Sequence, residues 1–445
     1  MDVTAILDPL NDAQREAVTA PGQPILVLAG AGSGKTRVLV HRIAWLISVE
    51  GLSPQQLCAV TFTNKAAMEM HQRIEALLGV PTKQFWIGTF HGLAHRLLRI
   101  HWQESGLTEG FQIMDSEDQL RMIRRLLKSL GIDEDNYSPR EIQWFINAQK
   151  DEGLRPANVD DEGNSVRKQM IEVYSRYEKI CADSSVVDFG ELLLRVLELL
   201  KGRADILNKY RSRFQHLLVD EFQDTNTIQY QWLRLLAGTE ATPFFVGDDD
   251  QSIYRWRGAR VENLHFFKRD FQGAKVIRLE QNYRSTANIL NAANAVIANN
   301  SSRLGKKLWT EGEAGELITL YSAFNERDEA EFVINRITDY IGQGNSRSDV
   351  AILYRSNAQS RVFEESLLAA RIPYRVYGGL RFFERAEIKD VLAYMRLIAN
   401  RDDDPSFERA VNMPPRGIGA RTMEAVRGEA ARTGLSLWYA AAAII

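Results

Sequence analysis

Cysteine is nearly absent from this sequence: its 445 residues include two, Cys58 and Cys181, far apart along the chain. That excludes a disulfide framework and a cysteine-built zinc site, and makes a reducing cytoplasm the natural compartment. Long apolar runs are missing too. With no uninterrupted stretch of about 18 apolar residues, no membrane span is expected. The acidic opening MDVTAILDPLND is unlike a signal peptide. Neither sign of charge is in excess, since 55 Lys and Arg against 58 Asp and Glu leave −3. A wholly basic nucleic-acid binder is thereby excluded, but a local basic groove is not. Short repeats and low-complexity linkers are also lacking, so nothing suggests a solenoid. What remains is ordinary globular usage, 45% hydrophobic and 25% charged, over a length that suggests about three domains.

The first segment alternates strands and helices. Ile25–Leu28 is a short apolar run between Pro24 and a glycine cluster, and reads as a buried parallel strand. A helix is expected over 34–47, a strand over 57–62, a helix over 64–78 and a strand at Trp86-Ile87-Gly88. This order predicts a doubly wound α/β domain. From about Phe90 to Arg213 the pattern turns helical, with Leu120, Ile123, Leu126, Leu127 and Leu130 on one face and another helical run over 192–200. Ser116 and Gln119 form a capping-box pattern before the first of these. No buried strand stands out, so a helical insertion is expected. Its basic stripe, Arg121, Arg124, Arg125 and Lys128, suits either a solvated face or a DNA contact. Strands at 216–219, 243–246 and 275–279 are expected to complete the first sheet. A second α/β unit then follows, with strands over 317–321 and 350–354 around a helix over 326–341. Tyr377-Gly378-Gly379 reads as a hinge into further helices.

The strand Ile25–Leu28 runs into Ala29-Gly30-Ala31-Gly32-Ser33-Gly34-Lys35-Thr36 and then a helix. This is a phosphate-loop pattern with Ala29 in place of its first glycine. Its glycines let backbone amides turn inward around phosphate, and the helix N-terminus adds partial positive charge. Lys35 suits the β- and γ-phosphates and the Thr36 hydroxyl suits Mg²⁺. A second acidic element stands where the apolar run His216–Val219 ends in Asp220-Glu221. Adjacent carboxylates at a sheet's carboxyl edge suit metal coordination by Asp220 and activation of the attacking water by Glu221. A third run, Phe244–Val246, leads through Asp248-Asp249-Asp250 to Gln251, placed to sense a γ-phosphate. Beyond it Tyr254 and Trp256 alternate with Arg255 and Arg257, a pattern that fits stacking on unpaired bases or a core Trp beside a solvated basic edge.

Taken in order, Asn11-Asp12-Ala13-Gln14, the phosphate loop, Thr61–Ala67, Gly88–His91, Val219–Thr225, Val246–Tyr254, Leu279–Thr286 and Ile352–Asn357 resemble the motifs of superfamily 1 DNA helicases of the UvrD/Rep/PcrA type. The resemblance runs from about Leu10 to Arg421. It implies two RecA-like motor domains with helical insertions, the second motor incomplete. The expected divisions are 1–89 with 215–280 for the first motor, 90–214 for its insertion, 281–377 for the second motor and 378–445 for the start of its insertion. It also implies an ATP- and Mg²⁺-dependent, 3′-to-5′ DNA helicase of repair and replication. By position, Gln14 would read the adenine edge, Arg37 and Tyr283 would sandwich the ring, and Arg284 would be an arginine finger. Phe62, Asn64, His91, Tyr254, Trp256 and Arg355 would hold single-stranded DNA or a single/double-strand junction. One departure stands out: Arg255 replaces a glycine of close relatives, and either adds a phosphate contact or crowds the base track.

Weaker signals remain. His91 and His95 are four apart but lack the glutamate and third ligand of a zinc site. Pro415-Arg416-Gly417-Ile418-Gly419 resembles a helix–hairpin–helix loop, whose Gly417 and Gly419 amides would meet a duplex phosphate. Repair proteins are possible partners, and monomer and dimer are both open. The family's last motifs do not appear before the closing LSLWYAAAAII, so the chain is expected to lack full unwinding. Competing readings are a nucleotide-gated DNA clamp and the motor part of a helicase–nuclease.

Overall fold

A computed structural model describes residues 3–134, 136–301, 303–377 and 386–444. Gly378 and Gly379 of the expected hinge lie outside the described residues. The chain divides into two compact units, Met1–Glu316 and Leu317–Ile445.

The first unit is organised by strands β1 (Ile25–Ala29), β2 (Leu57–Thr61), β3 (Trp86–Thr89), the two-residue β4 (Gln112–Ile113) and β5 (Val186–Val187), β6 (His216–Val219), β7 (Thr242–Gly247) and β8 (Lys275–Leu279). Six of them form one sheet in the order β3-β2-β6-β7-β1-β8, and every pair in it is parallel. Alternate side chains of a strand face opposite sides, and a parallel sheet is covered on both. Ile25, Val27 and Ala29 accordingly join a core with Val38, Leu39, Ile43, Met70 and Ile74. Leu26 and Leu28 join the opposite core with Leu93, Leu97, Leu193, Leu197, Phe222 and Trp232. Because all six strands run the same way, their carboxyl ends line one edge, where such sheets bind ligands. That edge receives the phosphate loop from β1, Phe62 from β2, Phe90 and His91 from β3, Asp220 and Glu221 from β6, and Asp248 from β7.

The chain from 90 to 215 is helical apart from β4 and β5, a short parallel pair that the sequence reading missed. Val186 and Val187 are buried in it, and a two-residue ladder leaves no periodic signal to detect. The expected capping box does not form: Asp115, one residue earlier, is the N-cap of the helix Ser116–Ser129, accepting from the Glu117 and Asp118 amides. Gln119 is instead buried, donating to Asn147 and Asp188. In the basic stripe Arg121 pairs with Asp118 and Arg124 with Glu134, as on a solvated face.

Residues 281–316 stand within the first unit. Gln281 forms a parallel backbone bridge with Trp309, whose amide donates to Glu280 and whose carbonyl accepts from Asn282. In the second unit the helix Glu326–Gly342 packs on Ser360–Ala369 through Ile334, Ile337 and Leu367. A second cluster gathers Ala393, Leu397, Phe407, Met423, Val426 and Leu437. The strands expected over 317–321 and 350–354 do not form. Apolar, β-branched sequence makes a strand only with a ladder partner. Among the described residues these segments have none, and Leu320 and Leu353 stand 95% and 94% exposed. No helix among the described residues is long and apolar enough to cross a membrane.

Candidate functional site: a phosphate-loop cleft and an aromatic track

The turn after β1 is shaped by two glycines in the left-handed region, Gly32 at φ 68° and Gly34 at φ 88°. A Cβ on Gly32 would lie 2.5 Å from Asn282 Nδ2 and 2.8 Å from Arg284 Cβ, so the position is closed to side chains by backbone and space alike. Gly34 then starts the helix Lys35–Ser48 without a side-chain cap, leaving its first amides facing the loop. Ser33 Oγ donates to the Gly30 carbonyl (2.7 Å), and Gln14 Nε2 to the Ser33 carbonyl (2.8 Å). Gln14 is itself held in a capping box with Asn11, whose Nδ2 donates to Tyr283 Oη at 2.7 Å.

Lys35 Nζ stands 3.7 Å from Glu221 and 3.8 Å from Asp248. Thr36 Oγ1 donates to Asp220 Oδ2 at 3.2 Å. Burial, and then the charge of Glu221, push the Asp220 carboxyl up to about 6, while Lys35 pulls the other way. Glu221 is a non-glycine residue at φ 52°, a conformation that costs about 1 kcal/mol or more and aims its side chain back toward Lys35. Gln223 bridges the two acidic turns, donating from Nε2 to Glu221 (2.8 Å) and accepting the Asp248 amide on Oε1 (2.8 Å). Gln251 Nε2 donates to Asp248.

The Gln281–Arg284 turn is clipped onto the phosphate loop. Asn282 Nδ2 donates to the Ala31 carbonyl (2.6 Å), the Tyr283 amide to Gly32 (3.0 Å), and Asn282 Oδ1 accepts the Arg284 and Ser285 amides. The result is a cleft of about 410 Å³ lined by Ala31, Gly32, Gly34, Lys35, Thr36, Arg37, Glu69, Arg73, Glu221, Gln251, Tyr283 and Arg284. Ala29 ends β1 beneath it. Asn11, Gln223, Asp248 and Asn282 stand in stretches that the sequence reading quoted without giving them a role, because bracing another residue is a contact that sequence does not show. Thr36 and Asp220 bring together a hydroxyl and a carboxylate, hard oxygens of the kind Mg²⁺ prefers.

An aromatic track lies on the same edge. Phe62 stacks on Tyr254 at 5.5 Å and 19°, and Tyr254 meets Trp256 at 6.3 Å. The Arg257 guanidinium sits over both rings, 5.1 and 4.9 Å from their centroids. Trp256 is 76% exposed, which removes the core reading. Asn64 and Arg255 are exposed. His91 packs edge-on against Phe189, and burial pushes it down to about 4, so it is neutral near pH 7. His95 accepts from Arg99, with no metal-like grouping of histidines among the described residues. In the second unit Arg355 is exposed, its amide bonded to Gln359. Gly417 (φ 73°) and Gly419, N-cap of the helix Ala420–Thr433, have open space where a Cβ would stand.

Residues 10–272 match the UvrD/REP helicase N-terminal domain and residues 277–441 the UvrD-like helicase C-terminal domain. Over 99% of its length the chain is 61% identical to DNA helicase II of Escherichia coli, covering 61% of that protein. It is 57% identical to DNA helicase II of Haemophilus influenzae over 99% of the chain and 61% of the relative. With the ATP-dependent DNA helicase PcrA of Staphylococcus aureus identity is 44%, over 98% of the chain and 60% of the relative. The chain thus spans about three fifths of the length of these relatives. With its α/β architecture, its phosphate loop and two consecutive matching domains, this chain belongs to the UvrD/REP helicase family.

Proposed function

We propose that this chain is the ATP-binding and strand-engaging part of a 3′-to-5′ DNA helicase of repair and replication. The observation that carries the reading is one cleft gathering Lys35, Thr36, Glu221, Gln251, Tyr283 and Arg284. Arg37 and Tyr283 flank the adenine, and Gln14 reads its edge from behind Ser33. The phosphate-loop amides from Ala29 to Gly34 and the ammonium of Lys35 hold the phosphates. Thr36 and Asp220 hold Mg²⁺, which when bound neutralises phosphate charge. Glu221 takes the proton of the attacking water, Gln251 senses the γ-phosphate, and Arg284 stabilises charge that develops in the transition state. Phe62, Tyr254 and Trp256 stack on unpaired bases, with Asn64 and His91 beside them. Arg355, Gly417 and Gly419 extend DNA contact in the second unit. The divisions 1–89 with 215–280, 90–214, 281–377 and 378–445 are read as motor, insertion, motor and insertion.

The test is binding of a fluorescent ATP analogue with and without Mg²⁺, followed by hydrolysis with and without single-stranded DNA and displacement on a 3′-tailed duplex. Mg²⁺-dependent binding that Lys35→Ala abolishes is expected. Nucleotide binding that Lys35→Ala leaves intact sinks the reading. ATPase without displacement favours the nucleotide-gated clamp.

A further inference from the structure

Behind the cleft lies a buried charge cluster that the proposed chemistry does not use. Asp248, Asp249 and Asp250 follow β7, their ligand-type oxygens within 4.8 Å of one another, as in a cation site. The centre holds an ammonium of the protein itself. Lys306 Nζ stands 2.6 Å from Asp248, 2.5 Å from Asp249 and 2.9 Å from Asp250, its side chain 2% exposed. Arg303 forks onto Asp250 with two bonds of 2.7 Å and also donates to the Lys306 carbonyl at 2.8 Å. The Leu304 amide donates to Asp249 at 2.7 Å.

The same segment reaches the cleft from a second side. Leu308 packs so closely on Gly30 that a Cβ there would lie 2.1 Å from Leu308 Cδ2. Trp309 makes the backbone bridge to Gln281 next to Asn282 and Tyr283. Residues 303–309 therefore form a strap with one end on the aspartate turn and the other on the phosphate loop. Asp248 is the joint. One carboxylate oxygen takes Lys306; the other takes Gln251 Nε2 and lies 3.8 Å from Lys35. A single buried carboxylate, 1% exposed, thus links Lys306 to two groups that face the γ-phosphate position.

We propose that Lys306 is a positioning residue for nucleotide discrimination: braced by Arg303, it fixes Asp248, and through it the Gln251 amide and Lys35, at the γ-phosphate. This rests on the ATP-site reading given above. Without the ammonium, the buried carboxylates of Asp248 and Asp249 and the partly buried one of Asp250 repel, and Asp248 turns toward Lys35. A displaced polar group near reacting phosphate loses specificity for it.

The experiment measures affinities of the full chain for ADP and for a non-hydrolysable ATP analogue, both with Mg²⁺. Lys306→Met is expected to weaken the ATP analogue on the order of tenfold while leaving ADP within about twofold. Lys306→Arg restores part of the loss, and Arg303→Gln gives a smaller loss in the same direction, which keeps the proposal testable should Lys306→Met fail to fold. In a Gln251→Ala background Lys306→Met should add less than it costs in the unmodified chain, since Gln251 is one of the two groups it acts through and only Lys35 remains. Equal weakening of both nucleotides, no weakening, or additivity with Gln251→Ala overturns the proposal. Failure of the unmodified chain to bind either nucleotide instead overturns the ATP-site reading, and the role of Lys306 with it.

Discussion

Lys35 faces Glu221 at 3.7 Å and Asp248 at 3.8 Å, so the phosphate-loop lysine is poised among carboxylates. Glu221 is the one whose backbone is held in a left-handed conformation to reach it. Glu221→Gln keeps the shape and the bond from Gln223 but cannot take a proton. It is expected to bind nucleotide normally and hydrolyse it about 10²- to 10⁴-fold more slowly; single-turnover hydrolysis at the unmodified rate would remove Glu221 as the base. On the track, stacking and charge are separable. Trp256→Ala should weaken single-strand binding by about 1–3 kcal/mol without altering its salt dependence. Arg257→Ala should instead reduce the slope of log K against log salt by about 0.7. Titrations at several salt concentrations tell the two apart. Both residues are exposed, so neither change should lower stability by more than about 0.5 kcal/mol.

The helical region over 90–214 is held together, and joined to the helix after β6, by polar contacts with no counterpart in its hydrophobic pattern. Lys150, at the end of the helix Pro139–Asp151, is buried between Asp188 at 2.8 Å and Glu191 at 3.0 Å. Burial alone would lower its pKa, and the two carboxylates more than reverse that. Lys150→Met leaves both acids without this partner and is expected to cost about 3 kcal/mol in urea unfolding. One residue on, Asp151 accepts from Asn226 Nδ2 (2.9 Å), the N-cap of the helix Thr227–Ala237. Burial first, and the charge of Glu152 next, push Asp151 up to about 7. Its folded pKa lies above the unfolded value of about 3.9, so the folded state holds the extra proton between these limits. Stability from this group is therefore full at low pH and is lost as pH rises toward and through 7. Asp151→Asn should flatten unfolding free energy between about pH 4 and 7, and an unchanged slope would remove Asp151 from the account.

Across the whole molecule, legibility followed what each feature needs. The six sheet strands were readable because most are apolar runs, β8 alternating instead, and all have their partners inside the first unit. The segments over 317–321 and 350–354 carry the same kind of pattern and formed no ladder among the described residues, since pairing is a property of two segments and sequence supplies one. That the phosphate loop, Asp220-Glu221 and Gln251 would stand together was readable because each follows an apolar strand run of one parallel sheet, whose carboxyl ends share an edge. Lys306 was not, because its significance depends on meeting Asp248 from across 58 residues.

The strand order also sets a timetable for making the protein. Among the described residues β1 pairs with β7 and β8 and with no other strand. It ends at Ala29, while β7 begins at Thr242, so just over 200 residues must be synthesised before the phosphate loop's strand acquires a neighbour. At typical elongation rates that is roughly 10–40 s. Throughout that interval Ile25–Ala29, among the most apolar segments of the chain, is an unpaired edge, the state in which a growing chain most needs a chaperone's cover.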